Sequence, residues 1–245
     1  MQTVKVFNTH IHNLNMQETI ALVEESIVQK KQLHHTVVNA GKIVALQTDQ
    51  ELRESVNNAD VINADGQAVV WASKILKKPL KERVAGIDLF SNLLEIAHQK
   101  NYKVFLLGAK EEVLQDLIKK LSHQYNPEII AGHHHGYFTP EEEPEIVQKI
   151  AQSQANMLFV AMTSPKKEIF LNTHKEALQE VNFIMGVGGS FDVLAGKTKR
   201  APLWMQKAGL EWFFRFIQEP KRMWKRYLVG NTKFLSLLIT EKLKN

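Results

Sequence analysis

The chain of 245 residues contains no cysteine. That absence removes disulfide frameworks, thiolate metal sites and cysteine nucleophiles at one stroke. It has no run of 18 consecutive apolar residues either, so no membrane-spanning helix is expected. The opening Met1-Gln2-Thr3-Val4-Lys5 lacks the apolar stretch of a secretory signal, which points to the cytoplasm. No internal repeat or low-complexity linker divides the chain.

What is present is ordinary globular composition, 44% hydrophobic and 23% charged, with enough length to bury a real core. One large domain, or one domain with an appendage, is the expectation. The net charge of +5 is modest but uneven. Residues 197–245 hold 12 Lys+Arg and 3 Asp+Glu, a surplus of +9, whereas residues 1–196 hold 19 and 23, a net of −4. A mildly acidic body with a strongly basic tail suits a polyanionic partner: nucleic acid, anionic lipid or phosphate.

Asn15 followed by Glu18 reads as a capping box for a helix over about residues 16–31, with Ile20, Leu22, Val23 and Ile27 at helical spacing. Short apolar runs follow at 35–39, 61–64, 104–107, 129–131, 157–160 and 183–185, several of them ending in Gly or Asp. Amphipathic stretches lie between them at about 88–100, 110–124, 141–154 and 165–178. Alternation of this kind predicts an α/β fold with a largely parallel sheet. Such sheets bind ligands beyond the carboxyl ends of their strands. After Gly196 the pattern changes. Pro202 opens a helix rich in large apolar groups, Glu219-Pro220 breaks it, a basic segment with Trp224 and Tyr227 follows, and a last helix carries Phe234 to Leu243. Aromatics interleaved with Arg and Lys suit a membrane interface; a plain helical cap on the sheet fits the composition as well.

Three segments could carry chemistry. Asp65, where a strand ends, could act as a general base or simply cap a helix starting near Gln67; composition and spacing favour the cap. The turn of residues 186–192, Gly-Val-Gly-Gly-Ser-Phe-Asp, could cradle a diphosphate on its backbone N–H groups, and its spacing is not the dinucleotide fingerprint. His133-His134-His135 invites a metal, yet adjacent strand residues face opposite ways and no acidic cluster adjoins them, so a loop of solvated histidines is expected. No Asp-x-Asp motif is present to hold Mg or Mn. Neutralisation of a leaving diphosphate would then fall to Arg, Lys and backbone amides.

Read in order, Asp65-Gly66, Glu82 to Phe90, Phe105 to Gly108, Gly132 with Gly136-Tyr137-Phe138, Pro165-Lys166-Lys167-Glu168, residues 186–196, Arg200-Ala201-Pro202, Gly209 to Trp212 and Glu219 to Arg222 resemble the WecG/TagA/CpsF glycosyltransferase family. The likeness covers nearly the whole chain and is most specific over residues 186–227. It implies a Rossmann-like core (1–196) with helices on both faces of the sheet and a basic amphipathic C-terminal appendage (197–245). The reaction it implies adds a sugar to an undecaprenyl-diphosphate-linked first sugar in cell-surface polysaccharide synthesis. The family's best-known donor is UDP-N-acetylmannosamine, used with inversion, without metal and without cofactor. The family's base matches Asp65, while Asn39 and Arg83 match positions near the sugar and phosphates. Gly108, Tyr137, Lys167 and the turn bearing Gly186, Gly188, Gly189 and Asp192 fall on the nucleotide side. Arg215, Arg222 and Arg226 would close the site over the acceptor diphosphate, with the aromatic faces on an anionic membrane at the inner face of the plasma membrane. Self-association is also a family tendency.

Two departures stand out. The family often has Thr where this chain has Val37, and an amide where it has Lys167. A cation there could select an acidic donor or neutralise phosphate. The rival readings are another UDP-sugar (glucose or a uronic acid) for exopolysaccharide, and a non-enzymatic membrane- or nucleic-acid-binding module. The acidic body and the amphipathic helical faces of the tail argue against nucleic acid.

Overall fold

A computed structural model describes residues 1–244, with the side chains of residues 222, 223, 225–227 and 244 outside that description. Its centre is a six-stranded, wholly parallel sheet. The chain opens with a small antiparallel hairpin, β1 (Thr3–Val6) and β2 (Thr9–His12). The sheet strands are β3 (Leu33–Val38), β4 (Val61–Ala64), β5 (Val104–Gly108), β6 (Ile130–His134), β7 (Met157–Ala161) and β8 (Phe183–Gly186). Their spatial order is β4-β3-β8-β7-β5-β6.

Most of these strands are apolar runs because both faces are covered. On one side lie α1 (Met16–Val28), α5 (Gly86–Lys100), α6 (Glu111–Gln124) and the short α9 (Ser190–Leu194). On the other lie α2 (Ala40–Ala45), α3 (Gln50–Asn57), α4 (Gln67–Ile75), α7 (Glu143–Gln152) and α8 (Lys166–Thr173). Successive strand residues serve opposite cores: Val37 and Leu106 join one side, Val38 and Leu107 the other. The capping box of α1 is complete, with Asn15 Oδ1 accepting from the Glu18 N–H and the Glu18 carboxylate accepting from the Asn15 N–H, both at 2.8 Å.

The connection leaving β5 runs outward to β6, and the one leaving β7 returns toward β8. These two adjacent strands therefore form a switch point, where a crevice opens beyond the carboxyl edge.

The histidine run is placed differently from the solvated loop expected. His133 and His134 close the edge strand β6, half-buried, and only His135 lies beyond it. The apolar run at 129–131 simply continues two residues into polar sequence, as an edge strand tolerates.

The tail also departs from its reading. Two short helices, α10 (Leu203–Lys207) and α11 (Glu211–Gln218), are divided at Gly209, whose φ of +74° suits glycine. Beyond them a single helix, α12 (Pro220–Lys244), replaces the two segments expected. Pro220 is its first residue, where a missing N–H costs nothing. The far half of α12 is stitched to the body: Phe234 and Leu238 are buried with Val6, Phe7, Ile43 and Leu46, and the Phe7 and Phe234 rings meet edge-on at 5.6 Å. Among the described residues no helix is long and apolar enough to cross a membrane.

Candidate active site

The carboxyl edge of β3 and β4 brings Asn39 and Asp65 together. The Asp65 N–H donates to Val38 O (2.9 Å), extending the ladder by one residue. A Cβ on Gly66 would lie 3.1 Å from Asn39 Cβ, a tight approach, so the 65–66 turn sits closely against Asn39. Asn39 itself caps α2, its Oδ1 accepting from the Lys42 N–H at 3.0 Å.

Asp65 does not cap the helix that follows it. Gly66 occupies the cap of α4 and makes no side-chain bond. Instead Asp65 Oδ1 accepts from the N–H of Gly86, the first residue of α5, at 3.0 Å. The bond crosses 21 residues of sequence, which is why local spacing could not find it. Among the described residues the second carboxylate oxygen has no hydrogen-bond partner. One oxygen is thus anchored and the other is not.

Under this edge lies a buried ionic group. Glu168, on α8, pairs with both Lys42 and Lys167 at 2.7 Å, and all three side chains are almost wholly buried. Lys42 Nζ also donates to Val37 O at 2.6 Å. Burial alone would raise the Glu168 pKa, but the two ammonium groups overcome it and hold the carboxyl down at about 2. Lys167 lays its stem against Gly186, where a Cβ would fall 2.9 Å from Lys167 Cδ. The charge substituted for the family's amide therefore meets a buried carboxylate that it shares with Lys42.

Arg83 enters a second network. Its Nη1 donates to Glu211 Oε2 (3.0 Å) at the start of α11, and Glu211 also accepts from Arg200 Nε (3.4 Å). Arg200 in turn holds Asp88 of α5 in a two-point contact, with Nη2 to Oδ2 at 2.9 Å. A chain of alternating charge thus fastens the tail to the body beside Asp65. Arg215, also on α11, is half-buried and has no carboxylate partner among the described residues. Arg222 and Arg226 fall in α12, and their side chains lie outside the described residues.

The glycines behave in two ways. Gly108 (φ +129°) is locked: a Cβ would lie 2.5 Å from Ala161 O, and Gly136 packs almost as tightly on Gly108 itself. Gly188 (φ +56°) and Gly189 face open space, with nothing within 4 Å of a Cβ. Asp192 follows in the first turn of α9, half-buried. Tyr137 is 70% exposed and follows Gly136, which packs on Gly108. Among the described residues no three His, Asp or Glu side chains gather as metal ligands would.

Sequence reading missed Lys42, Glu168 and the Asp88–Arg200–Glu211 chain as parts of the site. A lysine three residues after Asn39, in the first turn of a helix, was the only local signal for the first. The others are long-range pairs of common surface residue types.

An anchored carboxylate, glycine turns and arginines at the carboxyl edge of a parallel sheet suit transfer of a group from a nucleotide. Residues 4–245 match the Glycosyl transferase WecG/TagA/CpsF family, and the chain belongs to it. Among its relatives is a Bacillus subtilis (strain 168) protein, 35% identical over 245 residues, covering all of this chain and 94% of that protein. Proteins of Staphylococcus aureus strains MW2 and NCTC 8325 are 41% identical over 192 residues, covering 78% of this chain and 72% of each. All three are named N-acetylglucosaminyldiphosphoundecaprenol N-acetyl-beta-D-mannosaminyltransferase.

Proposed function

We propose that this glycosyltransferase moves N-acetylmannosamine from UDP onto N-acetylglucosamine carried by undecaprenyl diphosphate. The observation that carries the mechanism is the half-anchored Asp65 carboxylate, set beside Asn39 and facing the segment that brings in Arg83. The free carboxylate oxygen takes the proton of an acceptor hydroxyl while that oxygen attacks the anomeric carbon. The new C–O bond forms as the bond to UDP breaks, and UDP leaves with the electron pair from the opposite face, inverting the centre. Arg83 and Arg215, with Arg222 and Arg226, stabilise diphosphate charge. The open Gly188-Gly189 turn, with Gly186 and Asp192, receives the nucleotide, and Gly108 and Tyr137 border it. No metal or cofactor takes part. The tail rests its exposed aromatics, among them Trp204, Trp212 and Phe213, on the inner face of the plasma membrane.

Glu168 engages the Lys167 ammonium inside the fold, sharing its carboxylate with Lys42, and a cation so engaged favours N-acetylmannosamine over a uronic acid. A donor panel tests the reading. With a short-chain diphosphate-linked N-acetylglucosamine, UDP release from UDP-N-acetylmannosamine should require acceptor and survive EDTA. Turnover only with UDP-glucose or a UDP-uronic acid would reassign the donor. Loss of activity on chelation would overturn the metal-free mechanism.

A further inference from the structure

The helix that follows Asp65 carries an unusual outer face. Val69, Val70, Ala72, Ser73 and Leu76 of the α4 segment are buried. Trp71, Lys74 and Ile75 point the other way, with Trp71 47% and Ile75 45% exposed. Positions 71, 74 and 75 share one side of the helix by their three- and four-residue spacing. Lys77 and Lys78 follow at its end. None of Lys74, Lys77 and Lys78 pairs with a carboxylate among the described residues, whereas nearby Lys81 is held by Glu18 at 2.5 Å. A tryptophan and an isoleucine in water, ringed by three uncommitted lysines, lie within a body whose net charge is negative.

This face is continuous with the tail. The turn at Gly209 packs on Gln67 and on the ring edge of Trp71, so close that a Cβ there would lie 3.2 Å from Trp71 Cη2. Trp212, Phe213 and Ile217 of α11 are exposed just beyond that turn. We infer that the outer face of α4, through Trp71, Ile75, Lys74, Lys77 and Lys78, is a docking surface for an anionic lipid bilayer, built into the catalytic body rather than the tail. The inference rests on the membrane-linked acceptor proposed above. Aromatic and aliphatic groups enter the headgroup region while ammonium groups meet lipid phosphates. The geometry also suits the chemistry. α4 starts two residues after Asp65 and is about 13 Å long. A face lying on the bilayer therefore holds the base close to the headgroup plane, where a lipid-bound diphosphate must sit.

The absence of cysteine makes the test direct, because single reporter cysteines can be placed in the full chain. Ile75→Cys and, as a control on exposed α5, Gln99→Cys would each carry an environment-sensitive fluorophore. On adding phosphatidylglycerol-containing vesicles, a blue shift is expected at position 75 and none at 99. Vesicles of phosphatidylcholine alone should give little response. Lys74→Glu/Lys77→Glu/Lys78→Glu should lower partitioning into the anionic vesicles by about a hundredfold or more, since each lysine near such a surface contributes roughly fivefold. No shift at 75 while an Ile217→Cys reporter does shift, or unaltered partitioning of the triple variant, would overturn the proposal and leave docking to the tail. Turnover of the triple variant on a water-soluble short-chain acceptor should match the parent; its loss would place these lysines in the acceptor site instead. A parent protein inactive with every donor would sink the transferase reading, while the vesicle measurement would still decide this one.

Discussion

Asp65 and Gly86 lie at the ends of unrelated segments, yet the carboxylate of the first accepts the backbone N–H of the second at 3.0 Å. The bond fixes the carboxylate at the N-terminus of a 15-residue helix, where negative charge is favoured, and leaves its second oxygen without a hydrogen-bond partner among the described residues.

Asp65→Asn preserves the size and the bond to Gly86 but cannot take a proton. Its kcat should fall by about 10²–10⁴-fold, the usual worth of a general base. Donor affinity, measured by calorimetry, should hold. Near-normal turnover would remove Asp65 from the base role. A parallel loss of fold would instead make the bond to Gly86 its main contribution.

Glu211 links two arginines that belong to different parts of the chain. Glu211→Ala leaves Arg83 and Arg200 facing each other across a half-buried gap without their shared carboxylate. The expected cost is about 1–3 kcal/mol, felt as loosening of α10 and α11. Limited proteolysis should cut the 197–219 region faster, and acceptor KM should rise more than donor KM. If cleavage and both KM values stay as in the parent, the charge chain does not hold the tail.

The parallel α/β architecture was legible because the sheet strands are short apolar runs and the helices between them are periodic. The capping box at Asn15 and Glu18 worked for the same reason: its two bonds are local. Less could be read where the deciding contact is distant. Asp65 looked like a cap for its own helix, and only the fold brings Gly86 to it. The hairpin of β1 and β2 has four-residue strands that alternate with polar groups, too brief to register. α12 reads in sequence as a basic segment followed by a separate last helix, whereas one helix starts at Pro220 and carries Gly230 within it. The family resemblance pointed to Asn39, Asp65 and Arg83 as neighbours of the reaction. It carried no sign that Lys167 would be tied to Glu168 and Lys42.

Two glycines at the site should respond oppositely to a methyl group. Gly108→Ala places a Cβ 2.5 Å from Ala161 O, on backbone that cannot yield, at a φ of +129°. A loss of about 3 kcal/mol or more is expected, or failure to fold. Gly86→Ala meets only Met185 Cε at 3.5 Å and Val37 at 3.7 Å, ordinary contact. It should fold with a midpoint in urea close to that of the parent. Equal behaviour of the two variants would contradict the packing of β5 on β7.

The polar interior beneath β3 should make the fold sensitive to acid. His34 and His35 are buried, and burial lowers both to about 4 from an ordinary 6.5. The Nε2 of His35 lies 2.8 Å from Asn63 Oδ1, which also accepts from Thr19, so His35 is the donor there; that bond favours the charged form, and burial outweighs it. Because the folded pKa is depressed, the unfolded chain binds more protons between pH 4 and 6.5, and stability must fall with pH across that window. Each histidine contributes on the order of 3 kcal/mol to the decline. Glu168, held at about 2, extends it: its stabilisation is complete above about 4.5 and drains away as pH falls toward 2. Urea midpoints should therefore decrease from pH 6.5 downward, and His35→Gln should roughly halve the slope above pH 4.5. A profile flat between pH 6.5 and 5 would mean that burial does not hold the histidines neutral.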